Sequence, residues 1–493
     1  MDRLVDLIYT PVTEWEAKAR EAFATEISER YQRVKPEHFD PRNLDGRERF
    51  QFRLNTAPGE RNVPFAALIA PMQERSGPYG GMSFVLFPAD EAGAPAIICM
   101  VVGTQGLSPD EMILGRPGHA RKVRAIADWL GTEGAQYTWA KQDPVRVDLK
   151  LPKVVTERLD RWRGAITTYG NWTYGVIVPP LDRSNDEFVA TALKALLDLY
   201  FAERDVPVLA KYRNEAEEIR RAWLARLLPT TNHEDVAELL RVRKYVVLEG
   251  PPGTGKTKLA LEILRDRYRN HGRFIQFHPG TTYETFVGGL FPDVGGALGF
   301  QFVPRVGQLI EAAEEARRSQ EPYLLVIDEI NRADLSKVLG EAITLFEPTE
   351  AGREVTLPYE FPGVGRKLAL PPNLHVLGTM NSADRSIAIL DLAVRRRFAF
   401  VPVWPQLTVV EEISGSRLQA AFASLLELFV EHAPEDAFSL LPGHAYFLGN
   451  DDVAHGRLLT EVVPLLKEYL AQGYVAGFAD EVQAWINVVA GEV

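Results

Sequence analysis

Gly250-Pro-Pro-Gly-Thr-Gly-Lys-Thr257 has the spacing G-x-x-x-x-G-K-[ST], and the chemistry that this spacing permits is the cradling of a polyphosphate. Gly253 and Gly255 let backbone N–H groups converge on phosphate oxygens with no Cβ in the way. Gly250, Pro251, Pro252 and Thr254 complete the loop, and Leu259 on the helix beyond it completes the expected nucleotide-binding set. Lys256 would reach the β- and γ-phosphates, and Thr257 would offer its hydroxyl to Mg²⁺. Tyr323-Leu-Leu-Val-Ile-Asp-Glu329 is an apolar run that ends in two acids. The ends of parallel strands are where open α/β sheets bind ligands. Asp328 would hold Mg²⁺ there through water, and Glu329 would polarise the attacking water as general base.

A third apolar run from Leu374 leads into Thr379-Met-Asn381. A neutral polar side chain at that point can orient the lytic water, the role called sensor 1, and Asn381 fits it. Asp384-Arg-Ser386 and Arg395-Arg-Arg397 follow. A run of arginines suits a solvated helix end, where cations meet the helix dipole. In a ring of subunits it has a sharper use: an arginine that reaches a neighbour's γ-phosphate neutralises charge in the transition state. Arg396 and Arg397 are the expected fingers. In this order the motifs resemble those of the AAA+ motors.

Such a site needs a parallel sheet to carry it. Strand and helix patterns alternate over 229–403, which predicts an α/β core with helices on both faces of the sheet. Residues 404–493 read as a helical lid, and 181–228 as a helical linker with apolar residues at helical spacing. Asn232 is placed to cap the helix that follows it. Residues 1–180 combine a helical start at 13–31 with strand-like runs at 66–70, 83–87 and 96–102, an α+β domain closed by Pro179-Pro180. The glycine-rich stretch 288–299 reads as a hairpin insert.

The chain has 493 residues and a formal charge of −12, with the acidic excess after residue 180. Phosphate binding needs local positive charge, so the acidic half is no obvious duplex surface, whereas the balanced first half could carry a basic face. No apolar run reaches the length of a membrane span, and the first residues lack a signal-peptide pattern. The single cysteine, Cys99, sits in an apolar run and reads as a core thiol. A cytoplasmic protein with no membrane partner is expected.

Ile327-Asp-Glu-Ile-Asn-Arg-Ala333 with Leu335-Ser-Lys-Val-Leu-Gly-Glu341 resembles the motor subunit of McrB-type modification-dependent (type IV) restriction systems. So do Gly378-Thr-Met-Asn-Ser-Ala-Asp-Arg-Ser386 and Leu392-Ala-Val-Arg-Arg-Arg-Phe398. Phe277-His-Pro-Gly, Tyr283-Glu-Thr-Phe286, Gly443-His-Ala-Tyr-Phe447 and Val463-Pro-Leu-Leu-Lys-Glu-Tyr469 are similar to further segments of that family. The resemblance covers roughly 230–475. It implies a homo-oligomer, a hexameric ring with nucleotide sites between subunits. It implies that Asn331 belongs to the catalytic strand end and that Arg385 acts across the interface with Arg396 and Arg397. It also implies an McrC-like nuclease subunit as partner and DNA, modified DNA in particular, as target. The best-known members use GTP whereas most AAA+ proteins use ATP; base contacts are expected near 235–245, and ATP is favoured on general grounds with GTP as the other possibility. A remodelling chaperone of the MoxR kind, acting on protein, shares the core motifs and is the alternative. A motor that uses nucleotide only to assemble is a third reading, disfavoured because all catalytic positions are filled.

The target would be read by residues 1–180. Within 121–172 lie Arg121, Lys122, Arg124, Lys141, Arg146, Lys150, Lys153, Arg158, Arg161 and Arg163, together with Trp129, Trp139, Trp162 and Trp172. Cations bind phosphates and aromatic faces stack on bases. The same residues equally make a tryptophan core under a solvated, acid-paired face.

Overall fold

The computed structural model describes every residue except 44–47, 58–62, 297–298, 320, 348–351, 384–391 and 492–493. Contacts divide the chain into two units, Met1–Leu227 with Val430–Ala433, and Leu228–Phe429 with Pro434–Val493.

The first unit is built on a six-stranded sheet of β1 (Gln51–Asn55), β2 (Phe65–Ile69), β3 (Met82–Phe87), β4 (Ile97–Val102), β5 (Tyr137–Ala140) and β6 (Thr173–Val178), in the order β1-β2-β3-β4-β6-β5. Every neighbouring pair is antiparallel. β3, apolar except for Ser83, and β4, apolar throughout, are buried at every position, as expected of central strands covered on both faces. The main helices are α1 (Asp2–Ile8), α2 (Trp15–Arg30), α3 (Pro117–Glu133), α4 (Asp186–Ala202) and α5 (Arg213–Leu227), with shorter ones at Glu111–Leu114, Lys153–Arg158 and Arg163–Tyr169. The 181–228 stretch is therefore α4 and α5, and both pack within this unit rather than standing apart. Asn185 caps α4 by accepting from Phe188 N–H, and the helix buries Phe188, Val189, Leu193, Leu196 and Tyr200. Cys99 is fully buried in the core with Trp162 and Val176, and burial pushes its thiol pKa up.

The second unit holds a five-stranded sheet of β7 (Tyr245–Gly250), β8 (Gly272–Gln276), β11 (Tyr323–Asp328), β14 (Leu374–Asn381) and β15 (Ala399–Pro402), in the order β15-β7-β14-β11-β8. All its pairings are parallel, so every strand delivers its C-terminal end to one edge. Helices α6 (His233–Arg243), α7 (Lys256–Asp266) and α8 (Gln308–Ser319) flank it. One core cluster holds Val247, Leu325, Val376 and the α8 residues Leu309 and Ala313; the other holds Val246, Val326, Leu377 and the α7 residues Ala260 and Ile263. Alternate residues of each strand thus serve opposite layers. Asn232 caps α6 by accepting from Asp235 N–H. Two antiparallel hairpins are inserted, β9 (Gly288–Gly296) with β10 (Gly299–Val306), and β12 (Val355–Phe361) with β13 (Gly365–Leu368). Beyond β15 the chain is helical. Among the described residues no helix is long and apolar enough to cross a membrane.

Candidate functional site

The sheet order places β14 between the strand that leads into the glycine-rich loop and the strand that ends in two acids. Gly378 lies beside Ile327 on one side, and Asn381 lies beside Gly250 on the other. Residues from three distant stretches of sequence therefore meet at one sheet edge.

The loop between β7 and α7 follows the sequence expectation. Gly253 (φ 79°) and Gly255 (φ 82°) adopt left-handed backbone, which side chains disfavour, and Gly255 is the N-cap of α7. The unpaired N–H groups of that helix end and its dipole favour an anion. Thr254 is buried and donates its hydroxyl to Pro251 O at 3.0 Å. Lys256 is buried, and its Nζ donates to Gly250 O at 2.9 Å and Pro251 O at 2.7 Å. Burial lowers its pKa to about 8, against the opposing pull of Glu329 and Asp328. Leu259 packs against the core on the α7 side of the sheet.

Asp328 is buried and receives two hydroxyls on Oδ1. Thr257 donates to it at 2.8 Å and Thr379 at 2.6 Å. Thr379 Oγ1 also accepts the Glu329 N–H at 3.0 Å. That second bond holds a strained residue, because Glu329 sits at φ 54°, ψ 46°, where a residue with a Cβ is uncommon. Glu329 Oε2 is buried with no hydrogen-bond partner; Arg332 Nε stands 3.6 Å away, an ion-pair distance. Asn331 is buried, donates Nδ2–H to Asn381 O at 3.4 Å, and keeps an unpartnered Oδ1. Asn381 Oδ1 accepts from Ala383 N–H at 3.0 Å.

These groups fit a Mg²⁺–nucleotide. Thr257 and Asp328 converge beside the helix N-terminus, and Glu329 Oε2 beside them accepts no hydrogen bond. Among the described residues no cluster of three or more His, Cys, Asp and Glu could hold a metal alone. Mg²⁺ takes one or two protein oxygens and completes its shell with phosphates and water.

The helical C-terminal part contributes residues to which no site role falls on sequence grounds. Gly443 N–H donates to Pro252 O, and Ala445 N–H donates to Gly253 O, each at 2.9 Å. A Cβ on Gly443 would stand 2.0 Å from the Gly253 carbonyl carbon, and one on Gly253 would stand 2.8 Å from the Tyr446 ring. The loop and the helical segment thus touch backbone to backbone.

The arginines separate. Arg395 is exposed, stacks over Phe400 with its guanidinium 5.0 Å from the ring centroid, and lies 4.0 Å from Glu249. Arg396 is exposed. Arg397 is buried and donates Nη1–H to Ala393 O at 2.7 Å. Arg385 lies outside the described residues.

In the first unit the stretch 121–172 resolves towards the core reading. Trp162 is 2% exposed and donates Nε1–H to Pro95 O at 2.9 Å, Trp129 is buried, and Trp139 and Trp172 pack against the core. Arg121 is buried. Lys122 pairs with Glu203, and Lys141 donates to Arg146 O and Asn171 O. Arg146 pairs with Asp148, Lys153 with Glu157, Arg161 with Glu91 and Arg163 with Asp160. A platform of stacking tryptophans among free cations is not what this stretch forms. A cavity of about 380 Å³ opens elsewhere in the unit, lined by Arg53, Asn55, Phe65, Tyr79, Thr104 and Tyr169 among others. The Arg53 guanidinium lies 5.1 Å from the Tyr79 ring centroid.

Comparison with known proteins agrees with this geometry. Residues 245–398 match the AAA domain (dynein-related subfamily). The chain is 30% identical over 292 residues to the "Type IV methyl-directed restriction enzyme EcoKMcrB subunit" of Escherichia coli (strain K12), covering 54% of this chain and 61% of that one. It is 29% identical over 192 residues to the "Type II restriction enzyme BsuMI component YdiS" of Bacillus subtilis (strain 168), covering 31% of this chain and 55% of that one. It thus spans less than two thirds of either relative. The chain carries an AAA domain, with a parallel sheet flanked by helices and a helical C-terminal part, and over half its length is homologous to a McrB subunit.

Proposed function

We propose that this chain is the nucleoside-triphosphate-hydrolysing motor of a restriction complex of McrBC type, reading DNA through its first unit and driving a separate nuclease subunit. The observation that carries the hydrolytic part is the convergence of Thr257 and Thr379 on Asp328 beside the left-handed Glu329. The glycine-rich loop and the N-terminus of α7 bind the phosphate chain, with Lys256 turning its ammonium from the loop carbonyls to the β- and γ-phosphates. Thr257 and Asp328 would hold Mg²⁺, which would supply charge neutralisation during phosphoryl transfer. Glu329 accepts the proton of the attacking water as its oxygen bonds to the γ-phosphorus. The bond from that phosphorus to the β–γ bridging oxygen breaks, and the diphosphate leaves. Asn381 orients the water, and Asn331 braces the Asn381 backbone. ATP is the assigned substrate, with GTP as the comparison.

Arg396, Arg397 and Arg385 are assigned to the neighbouring subunit's site in a homo-oligomeric ring, a hexamer. The exposure of Arg396 supports its part. The partner is a McrC-like nuclease subunit, in keeping with the restriction enzymes that both relatives are named for. Target reading is assigned to the first unit, where a cavity lined by Arg53, Tyr79 and Tyr169 among others opens.

The test is hydrolysis and DNA cleavage by the full chain mixed with a PD-(D/E)xK nuclease subunit from a neighbouring reading frame, on methylated, hydroxymethylated and plain duplexes. Cleavage of a modified duplex that needs both proteins and nucleotide supports the proposal. Hydrolysis stimulated by protein partners and indifferent to every duplex would assign the chain to protein remodelling instead.

A further inference from the structure

One residue of the second unit stands against the phosphate loop without a part in the scheme above. His444 follows Gly443, whose N–H is bonded to Pro252 O, and precedes Ala445, whose N–H is bonded to Gly253 O. These two bonds fix the His444 backbone against the loop. Its Nδ1 faces the backbone N–H of Gln406 at 3.2 Å. A peptide N–H can only donate, so Nδ1 accepts, and in the neutral ring the proton is on Nε2. Gln406 is itself pinned: its side chain accepts from Thr230 Oγ1 at 2.8 Å and donates to Leu228 O and Trp404 O, each at 3.3 Å. The ring orientation is thus set from two separate stretches of chain.

The Nε2 end lies beside the helix N-cap. A Cβ on Gly255 would stand 3.8 Å from His444 Nε2, its one contact within 4 Å beyond the adjoining stretch of chain. Gly255 opens α7, whose first N–H groups cradle the α- and β-phosphates in a loop of this kind. A donor held there faces the phosphate chain.

We propose that His444 is a nucleotide-contacting residue, donating Nε2–H to the α/β end of the bound phosphate chain and thereby tying the helical C-terminal segment to nucleotide occupancy. The inference rests on the assignment of the loop as a nucleotide site. The contact is with a neutral donor, since burial and the Lys258 cation hold the imidazole pKa below its usual range. A neutral donor adds affinity without competing with Lys256 for charge at the γ-phosphate. Being directed at the α/β end, it serves a diphosphate as well as a triphosphate.

The experiment is calorimetric titration of the full chain with Mg²⁺–ADP and with a non-hydrolysable Mg²⁺–ATP analogue, for wild type, His444→Ala, His444→Gln and Lys256→Ala. His444→Ala is expected to weaken both ligands by the same factor, about tenfold for a lost hydrogen bond to a charged group. His444→Gln, which keeps an N–H donor, is expected to recover most of the loss, and it remains informative if the alanine variant folds poorly. Unchanged affinity in His444→Ala beside abolished binding in Lys256→Ala would overturn this contact and leave the nucleotide site standing. Loss confined to the triphosphate analogue would also overturn it, by placing the residue at the γ-phosphate. Equal loss in the glutamine variant, with a lowered melting temperature in both, would assign His444 to structure alone. Undiminished binding in Lys256→Ala would remove the nucleotide site and this inference with it.

Discussion

Thr379 Oγ1 stands between Asp328 and Glu329, donating to the carboxylate of the first at 2.6 Å and accepting the backbone N–H of the second at 3.0 Å. One hydroxyl thus orients the acid proposed to hold Mg²⁺ and keeps the proposed base in its left-handed backbone. The pairing exists because β14 lies next to β11 and sets Gly378 beside Ile327. Thr379→Val keeps the shape and removes both bonds. We expect kcat to fall about tenfold or more, the cost of a freed peptide N–H and a misaimed carboxylate, with KM changed far less. Thr379→Ser should restore most of the rate. Full activity in the valine variant would show that the strand end holds its geometry unaided.

Glu329→Gln is the direct test of the base. The substitution preserves size and leaves Thr257, Asp328 and Lys256 in place, so nucleotide affinity should stay near wild type. Turnover should fall by roughly 10²–10⁴-fold, the range for removal of a positioned general base. A glutamine variant that turned over at the wild-type rate would move the base elsewhere. Glu329 Oε2, buried beside Arg332 and accepting no hydrogen bond, argues that it stays here.

The geometry of the loop and of the acidic strand end was legible because each is contiguous in sequence and its residue types follow from local structure: glycine at positive φ in Gly253 and Gly255, carboxylates at a strand terminus. Asn232 was legible as a cap for the same reason. Thr379 was not, because its role depends on which strand lies beside β11, a fact of sheet order. Gly443 was seen only as part of a family-like segment. Its contact with Gly253 joins two distant loops and leaves no periodic trace, although a Gly-His pair ahead of an aromatic was a signal. The tryptophans of 121–172 could be core or surface by composition, and packing decided for Trp162 and Trp129. Burial likewise divided Arg396 from Arg397, which adjacency in sequence could not do.

Lys256 makes nucleotide binding depend on pH. Its pKa is lowered to about 8, below the ordinary lysine value, so the free protein loses this proton earlier than an unfolded chain does. For folding, the buried cation is a cost below about pH 8. The cost is relieved as pH rises towards the unfolded value near 10.4. Binding runs the other way, because the phosphates need the ammonium. The dissociation constant should be level between about pH 6.5 and 7.5 and rise above about pH 8, by at most tenfold per unit. Titration of Mg²⁺–ADP across this range checks it, and a level profile to about pH 9.5 would show that the ammonium keeps its proton.

The arginines differ in what their loss should cost. Arg396 is exposed, so Arg396→Ala should leave the fold and nucleotide affinity intact. If it completes a neighbour's site, turnover should fall by about 10³-fold or more, the scale of an arginine that neutralises transition-state charge. Arg397 is buried and bonded to Ala393 O, so Arg397→Ala should lower the melting temperature as well as turnover. Subunit mixing separates action within a chain from action between chains. Arg396→Ala retains an intact phosphate loop, and Lys256→Ala retains an intact arginine. A mixed assembly can therefore pair a sound loop with a sound arginine across an interface, and it should recover part of the activity that each variant lacks alone. No recovery at any mixing ratio, with both variants assembling normally, would place the arginine's action within its own chain. Recovery through Arg396→Ala but not through Arg397→Ala would single out the exposed side chain as the finger, and leave the buried one the task of fixing the turn that presents it.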